Sequence, residues 1–259
     1  MRRVVFNEKG GVGKSSITCN LAAISASKGK RTLVVDLDPQ CNSTHYLLGE
    51  TPETNTIANY LSETLSFTLM ATKPGEYIHE TPFENLFVIP SSSELLTLEH
   101  KLESRHKIYK LRDLLNKLEA DFDEVYIDTA PALNFYTRSA LICADNCLIP
   151  FDCDAFSRQA LYAILEVIHE IREDHNDNLQ IEGVVVNQFQ PMAKLPTQLI
   201  EELKKDKLPV IPVYLNQSVK MKESHNESKP LIYYAPSHKL TKQYVELFEH
   251  LSRKRRKKK

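Results

Sequence analysis

Phosphate chemistry is written most plainly into Glu8-Lys9-Gly10-Gly11-Val12-Gly13-Lys14-Ser15-Ser16. Residues 8–15 meet the spacing Gly-x-x-x-x-Gly-Lys-[Ser/Thr] except that Glu8 stands in place of the first glycine. Gly10, Gly11 and Gly13 allow the backbone to turn its N–H groups inward, and Val12 completes the loop. Lys14 would reach the terminal phosphates of a nucleoside triphosphate. The Ser15 hydroxyl would complete the shell of a Mg²⁺ ion, with Ser16 beside it at the start of the helix. Lys9 is a second cation at the front of the loop, badly placed to fold back onto phosphates held by its own backbone. It can act on a nucleotide held by a second subunit, or be a solvated surface lysine.

Carboxylates follow at matching places. Asp36-Leu37-Asp38-Pro39-Gln40 ends one apolar run, where Asp36 could order the waters of Mg²⁺ and Asp38 could orient an attacking water. Val125-Tyr126-Ile127-Asp128 ends another, with Asp128 as acceptor for a Mg²⁺ water. Ile181 to Asn187 ends in a carboxamide, which can terminate a strand or meet a ligand.

These side chains need strands that end together. Residues 4–6, 31–36, 86–90, 125–128, 146–150, 181–187 and 210–213 read as strands. Helical patterns lie between them over 15–26, 134–144 and 156–172, with one long helix from Ser91 to Leu118 opened by a capping pattern at Ser91 and Glu94. Residues 48–82 read as short helices and an excursion that could cover a nucleotide. A helix over 239–251 closes the chain. Alternation of this kind predicts an α/β fold: a doubly wound, mainly parallel sheet with helices on both faces and ligands at the C-terminal strand edges.

Composition agrees. The 259 residues, 42% hydrophobic and 26% charged, suit one globular domain over residues 1–252. No apolar run is long enough to span a membrane, and no signal peptide is expected before the first strand. Cys19, Cys41, Cys143, Cys147 and Cys153 form no zinc pattern and fit free thiols in a reducing cytoplasm. The seven basic residues 253–259 read as a disordered tail, and without them the net charge of −1 becomes −8. Such a tail suits polyanions, though it is equally a solubilising end.

The loop resembles the signature Lys-Gly-Gly-x-Gly-Lys-[Thr/Ser]-[Thr/Ser] of the ParA/MinD family of deviant phosphate-loop ATPases. Asp36 to Thr44 resembles that family's Asp-x-Asp-Pro-Gln-Gly-Asn-[Ser/Ala]-Thr, strongest in its partition branch, with Cys41 where glycine is usual. Asp128-Thr129-Ala130-Pro131 departs at Ala130 from Asp-Thr-Pro-Pro. The resemblance covers nearly the whole chain and is weak after Asn187. It implies ATP and Mg²⁺ as cofactors and an ATP-sandwich homodimer in which Lys9 acts in trans. It makes Asp38 the water-activating carboxylate and Asn187 the reader of the adenine edge. It also implies non-specific DNA binding through scattered basic residues, here Lys194, Lys220, Lys222 and Lys229, since phosphate contacts need only charge. A ParB-like or cargo-adaptor protein would stimulate slow hydrolysis, and the switch would position a chromosome, plasmid or protein cluster from a cytoplasmic, nucleoid-associated location. With no helix-turn-helix segment before Val4, operator binding is not expected.

Other readings compete. A MinD-like membrane ATPase governing division or flagellar placement is the alternative, but Glu246 and Glu249 in the closing helix would repel anionic lipid. An iron–sulfur reductase of the nitrogenase-iron-protein type needs a cysteine just after the Asp128 segment, and Thr129 to Leu133 has none. A small-molecule kinase or amide-forming ligase would need an acceptor pocket of which the sequence gives no sign.

Overall fold

The computed structural model describes residues 1–66, 72–154 and 157–256. Seven strands form one sheet: β1 (Arg2–Val5), β2 (Thr32–Asp36), β3 (His79–Glu80), β4 (Leu86–Ile89), β5 (Glu124–Asp128), β6 (Asn146–Asp152) and β7 (Gln180–Asn187). Their order is β3-β4-β2-β5-β1-β6-β7, parallel throughout except for the antiparallel edge strand β3. The helices are α1 (Lys14–Ser27), α2 (Asn42–Leu48), α3 (Ile57–Glu63), α4 (Leu95–Ser104), α5 (Lys110–Lys117), α6 (Phe135–Cys143), α7 (Ser157–Asp174), α8 (Lys194–Lys205), α9 (Val219–Asn226), α10 (Leu231–Tyr234) and α11 (Lys239–Arg256).

Alternation along the strands sorts the two faces. Val5, Val34, Tyr126, Leu148 and Val185 pack with α1 and α11, whereas Val4, Leu33, Val35, Ile127 and Ile149 pack with α3 to α8. Both faces being covered explains why the strands read as unbroken apolar runs. The sheet is therefore the doubly wound one expected, and α1 sits centrally behind the phosphate-type loop.

At the N-terminal ends of the strands lies a buried ionic group. The Arg3 guanidinium donates to both carboxylate oxygens of Glu182 (2.5 and 2.8 Å) and stands 5.0 Å over the Tyr126 ring. Glu124 accepts from Tyr126 (2.7 Å) and Ser25 (3.1 Å) and pairs with Lys30. Residues from β1, β5 and β7 are thus joined at the edge opposite the candidate site.

Several sequence expectations need correction. The single helix from Ser91 to Leu118 is two: His106 adopts φ 54° and the Lys107 N–H returns to the Leu102 carbonyl, a left-handed helix stop. Ser91 and Glu94 form no reciprocal cap; the Ser92 hydroxyl instead accepts the Glu94 N–H. Residues 210–213 are no full strand. Ile211 bonds the Val184 carbonyl, but Pro209 and Pro212 carry no N–H, so pairing stays local. Ile57, Ala58 and Leu61 of α3 and the nearby Tyr77 pack into the core. The part of the 48–82 excursion over 67–71 lies outside the described residues.

The closing helix also runs past the expected boundary at residue 253, to Arg256. No Gly or Pro interrupts it, Arg253 pairs with Glu249 one turn back, and cations suit a helix C-terminus. Residues 257–259 lie outside the described residues. Among the described residues no helix is long and apolar enough to cross a membrane.

Candidate functional site at the C-terminal strand edges

The β1–α1 loop is built to leave donors unpaired. Gly11 and Gly13 take φ 76° and 89°, a left-handed backbone that favours glycine. The first intrahelical bond of α1 runs from the Ile17 N–H to the Gly13 carbonyl (2.9 Å), so the N–H groups of Lys14, Ser15 and Ser16 have no helical partner. No acidic side chain occupies the first turn of α1. Unpaired donors at the positive end of a helix dipole fit a phosphate group.

The loop is braced from β7. The Asn187 carboxamide donates to the Val12 carbonyl (2.8 Å) and the Gln188 carboxamide to the Gly11 carbonyl (2.6 Å). A β-carbon on Gly13 would stand 2.2 Å from Asn187 Nδ2, so this contact also demands glycine. Asn187 lines a cavity of about 480 Å³ with Gly11, Gly13, Ser16, Met221, Lys222 and His225. It therefore stands where a base could lie, with its amide nitrogen already committed to the loop.

The two lysines point in different directions. Lys14 turns back and donates to the Lys9 carbonyl (3.0 Å); burial holds its ammonium below the usual lysine range, partly offset by Asp128 and Asp38. The Lys9 ammonium binds Asp152 at the end of β6 (2.6 Å) and Asp154 just beyond. Burial works against that charge, but the hydrogen bonds to Asp152 and Asp154 outweigh it and hold the ammonium above its ordinary value. Lys9 thus pairs within its own subunit here, through carboxylates more than 140 residues further along the chain.

Three carboxylates meet at neighbouring strand ends. Asp36 and Asp128 are register partners on β2 and β5, and Val5 of β1 pairs with Asp128 on the other side. Asp36 accepts the Thr44 N–H and hydroxyl (2.8 and 2.7 Å) and the Asp38 N–H (3.0 Å). Asp128 accepts the Ser43 hydroxyl (2.7 Å), and the Ser15 hydroxyl also favours its charged form. Asp38, 5% exposed, accepts the Gln40 N–H (2.9 Å). Burial and the nearby Asp128 push Asp36 well above the usual carboxylate range; burial raises Asp128 too, against the Ser15 and Ser43 hydroxyls. Hard oxygen donors beside a hydroxyl suit a Mg²⁺ ion and its waters, so these residues fit that metal.

A pH dependence follows. Both carboxylates bind protons in the folded state at pH values where the unfolded chain has released them. Stability therefore falls as pH rises from about 4 through their raised values. Metal- and nucleotide-free protein should melt at a lower temperature at about pH 8 than at about pH 5.5, and Asp128→Asn should narrow the gap. Equal melting temperatures in the wild type would contradict the raised values.

Cys41 has φ 57°, the left-handed conformation where the resembling family carries glycine, at the N-terminus of α2. Its thiol is buried and donates to the Pro39 carbonyl (3.5 Å). The cysteine keeps the glycine backbone and accepts its strain. The other cysteines are free; Cys143 and Cys147 are core residues and Cys153 is half-buried.

The basic residues expected to meet DNA are dispersed. Lys194 starts α8 and is exposed. Lys220 pairs with Glu223 (2.6 Å), Lys222 lines the cavity beside the loop, and Lys229 is exposed beyond α9. His225, which sequence reading passed over, sits 2.8 Å from the Ser16 hydroxyl.

The AAA domain family model matches residues 3–181. Chromosome partitioning protein ParA of Myxococcus xanthus is 31% identical over 253 residues, covering 96% of this chain and 87% of that one. Sporulation initiation inhibitor protein Soj of Bacillus subtilis is 31% identical over 249 residues, covering 94% of each. In structure, cobyrinic acid a,c-diamide synthase from Mycobacterium smegmatis, solved with bound ADP and magnesium, superposes with a TM-score of 0.84 at 23% identity, covering 100% of this chain and 96% of that one. That last likeness is one of fold.

Proposed function

Because the chain belongs to the ParA/Soj family of partition ATPases, within the AAA domain family, we propose that it is a Mg²⁺-dependent ATP hydrolase acting as a dimerisation switch. Gly10, Gly11, Val12, Gly13, Lys14, Ser15 and Ser16 would hold the phosphates. Ser15, Asp36 and Asp128 would hold Mg²⁺ and its waters, and the metal would neutralise charge developing on the phosphates. Asp38 accepts the proton of the attacking water. Asn187 would stand beside the base, its carboxamide oxygen the group left for recognition.

The observation that carries the dimer reading is the divergence of the two lysines. Lys14 serves its own loop, whereas the Lys9 ammonium points away from it, to Asp152 and Asp154. A cation so placed is available to a second subunit's nucleotide once it leaves those carboxylates. Residues 1–252 would form the ATPase unit, with the basic end of α11 and residues 257–259 as an appendage. Lys194, Lys220, Lys222 and Lys229 would add charge toward DNA phosphates in the dimer. Hydrolysis, accelerated by a partner protein, would release the DNA and so move a cargo.

The test is binding to random-sequence duplex DNA with ATP, with ADP and without nucleotide, read alongside oligomeric state. The expected result is ATP-dependent dimers that bind DNA with an affinity falling steeply with salt. ATP-dependent dimers that ignore DNA and settle on anionic vesicles would overturn this reading in favour of a MinD-like one. ATP binding without dimers would overturn the switch itself.

A further inference from the structure

Helix α9 forms the cavity wall opposite the phosphate-type loop, and His225 in its last turn is the side chain that crosses between them. Its ring stacks on Tyr46 of α2, with centroids 3.9 Å apart and planes 17° apart. Its Nε2 lies 2.8 Å from Ser16 Oγ. The support behind the stack has a fixed hydrogen-bond direction. The Ser224 hydroxyl donates to the Lys229 carbonyl (2.8 Å), so at Ser224 Oγ it can only accept the Tyr46 hydroxyl. The phenol oxygen accepts in turn from Asn20 (3.2 Å), and Asn20 also donates to the Ser16 carbonyl (2.8 Å) and accepts the Leu231 N–H (2.8 Å). His225 is therefore held in one orientation, against one residue of the loop.

Burial lowers the imidazole below its ordinary value, with no charged side chain contributing to the shift. The groups around it are the Ser16 hydroxyl and Asn20 on α1, the Tyr46 phenol on α2, and Lys222 and Asn226 on its own helix at the same cavity wall. A neutral imidazole carries one N–H, and the Ser16 hydroxyl one proton. If Ser16 donates to a bare Nε2, its proton is spent inside the protein. If Nε2 carries the proton, Ser16 Oγ accepts it and the hydroxyl proton is free for another acceptor. An ionised phosphate only accepts, so it selects the second arrangement.

We propose that His225 is a nucleotide-positioning residue whose Nε2–H donates to Ser16 and thereby directs the Ser16 hydroxyl proton onto a phosphate oxygen. The proposal rests on the reading of the loop as a nucleoside-polyphosphate site. Phosphate charge arriving beside the ring also favours the imidazolium, so binding takes up a proton at His225 and tightens as pH falls.

The test uses the full chain with Mg²⁺ and either ADP or ATP. Imidazole ¹⁵N spectra, assigned by loss of the signal in His225→Gln, should show nucleotide converting Nε2 to the protonated form and raising the titration midpoint. Calorimetry should give affinity tighter at about pH 6 than at about pH 8 by up to roughly tenfold, the effect of one pKa unit. His225→Gln, which can still donate to Ser16, should bind with a flat pH profile. His225→Leu, which cannot, should bind roughly threefold to tenfold more weakly across that range. Nucleotide binding that leaves the midpoint and tautomer unchanged, or a Leu variant as tight as wild type, overturns the role of His225 alone. A wild type that binds neither nucleotide overturns the nucleotide site and this inference with it.

Discussion

Lys14→Met is expected to weaken ATP binding by at least about thirtyfold while the protein melts no lower than wild type. Removing one member of a desolvated charge pair with a phosphate costs about 2–5 kcal/mol of binding. The stability side follows from what Lys14 does without ligand. Its ammonium is buried, held below its usual range by desolvation, and rests on a single carbonyl. Methionine keeps most of the side-chain volume and removes an ammonium that burial disfavours more than Asp128 and Asp38 favour it, so stability should hold or rise. Titration calorimetry and a thermal melt on the same preparation separate the effects. Retained binding would mean that Lys14 does not hold phosphate; lost binding with a fall in melting temperature would mean that it supports the fold.

Asp38→Asn should lower ATP hydrolysis by about 10²- to 10⁴-fold and leave ATP affinity within a few-fold of wild type, the pattern of a lost general base. The carboxamide oxygen can still accept the Gln40 N–H that Asp38 now accepts, so the loop before α2 keeps its shape. The variant should therefore accumulate as the ATP-bound dimer. Single-turnover hydrolysis and light scattering with ATP give the two readings. Hydrolysis at the wild-type rate would move the base function elsewhere, and a parallel loss of binding would assign Asp38 to the metal.

Much of this was legible in the sequence because it depends on neighbours along the chain. The glycines around Lys14, and each carboxylate together with the apolar run it closes, form patterns that each span about ten residues or fewer, a range that local pattern can read. Contacts across the sheet were not legible. Lys9 finds Asp152 because β6 lies beside β1, and His225 finds Ser16 because α9 folds back over α1. Nothing near His225 in sequence marks it, since the lysines around it draw the eye to charge. Cys41 was visible as a departure from glycine, but only its positive φ shows that the turn itself persists. Residues 210–213 have strand composition, and the prolines at 209 and 212 carried the signal that pairing would fail.

The buried Arg3, Glu124 and Glu182 at the far edge of the sheet bear on the carboxylates through alignment. A strand covered on both faces is nearly uniform in hydrophobicity, so sliding it by one residue, about 3.3 Å, changes little in apolar burial. Charged residues at the opposite ends break that degeneracy, because only one register brings the Arg3 fork to Glu182 with Glu124 beside it. The β1–β5 register that goes with it sets Asp128 level with the last residue of β1, and the β2–β5 register sets Asp36 level with Asp128 in turn. The ionic group works as the zero mark of a ruler whose other end is the candidate site.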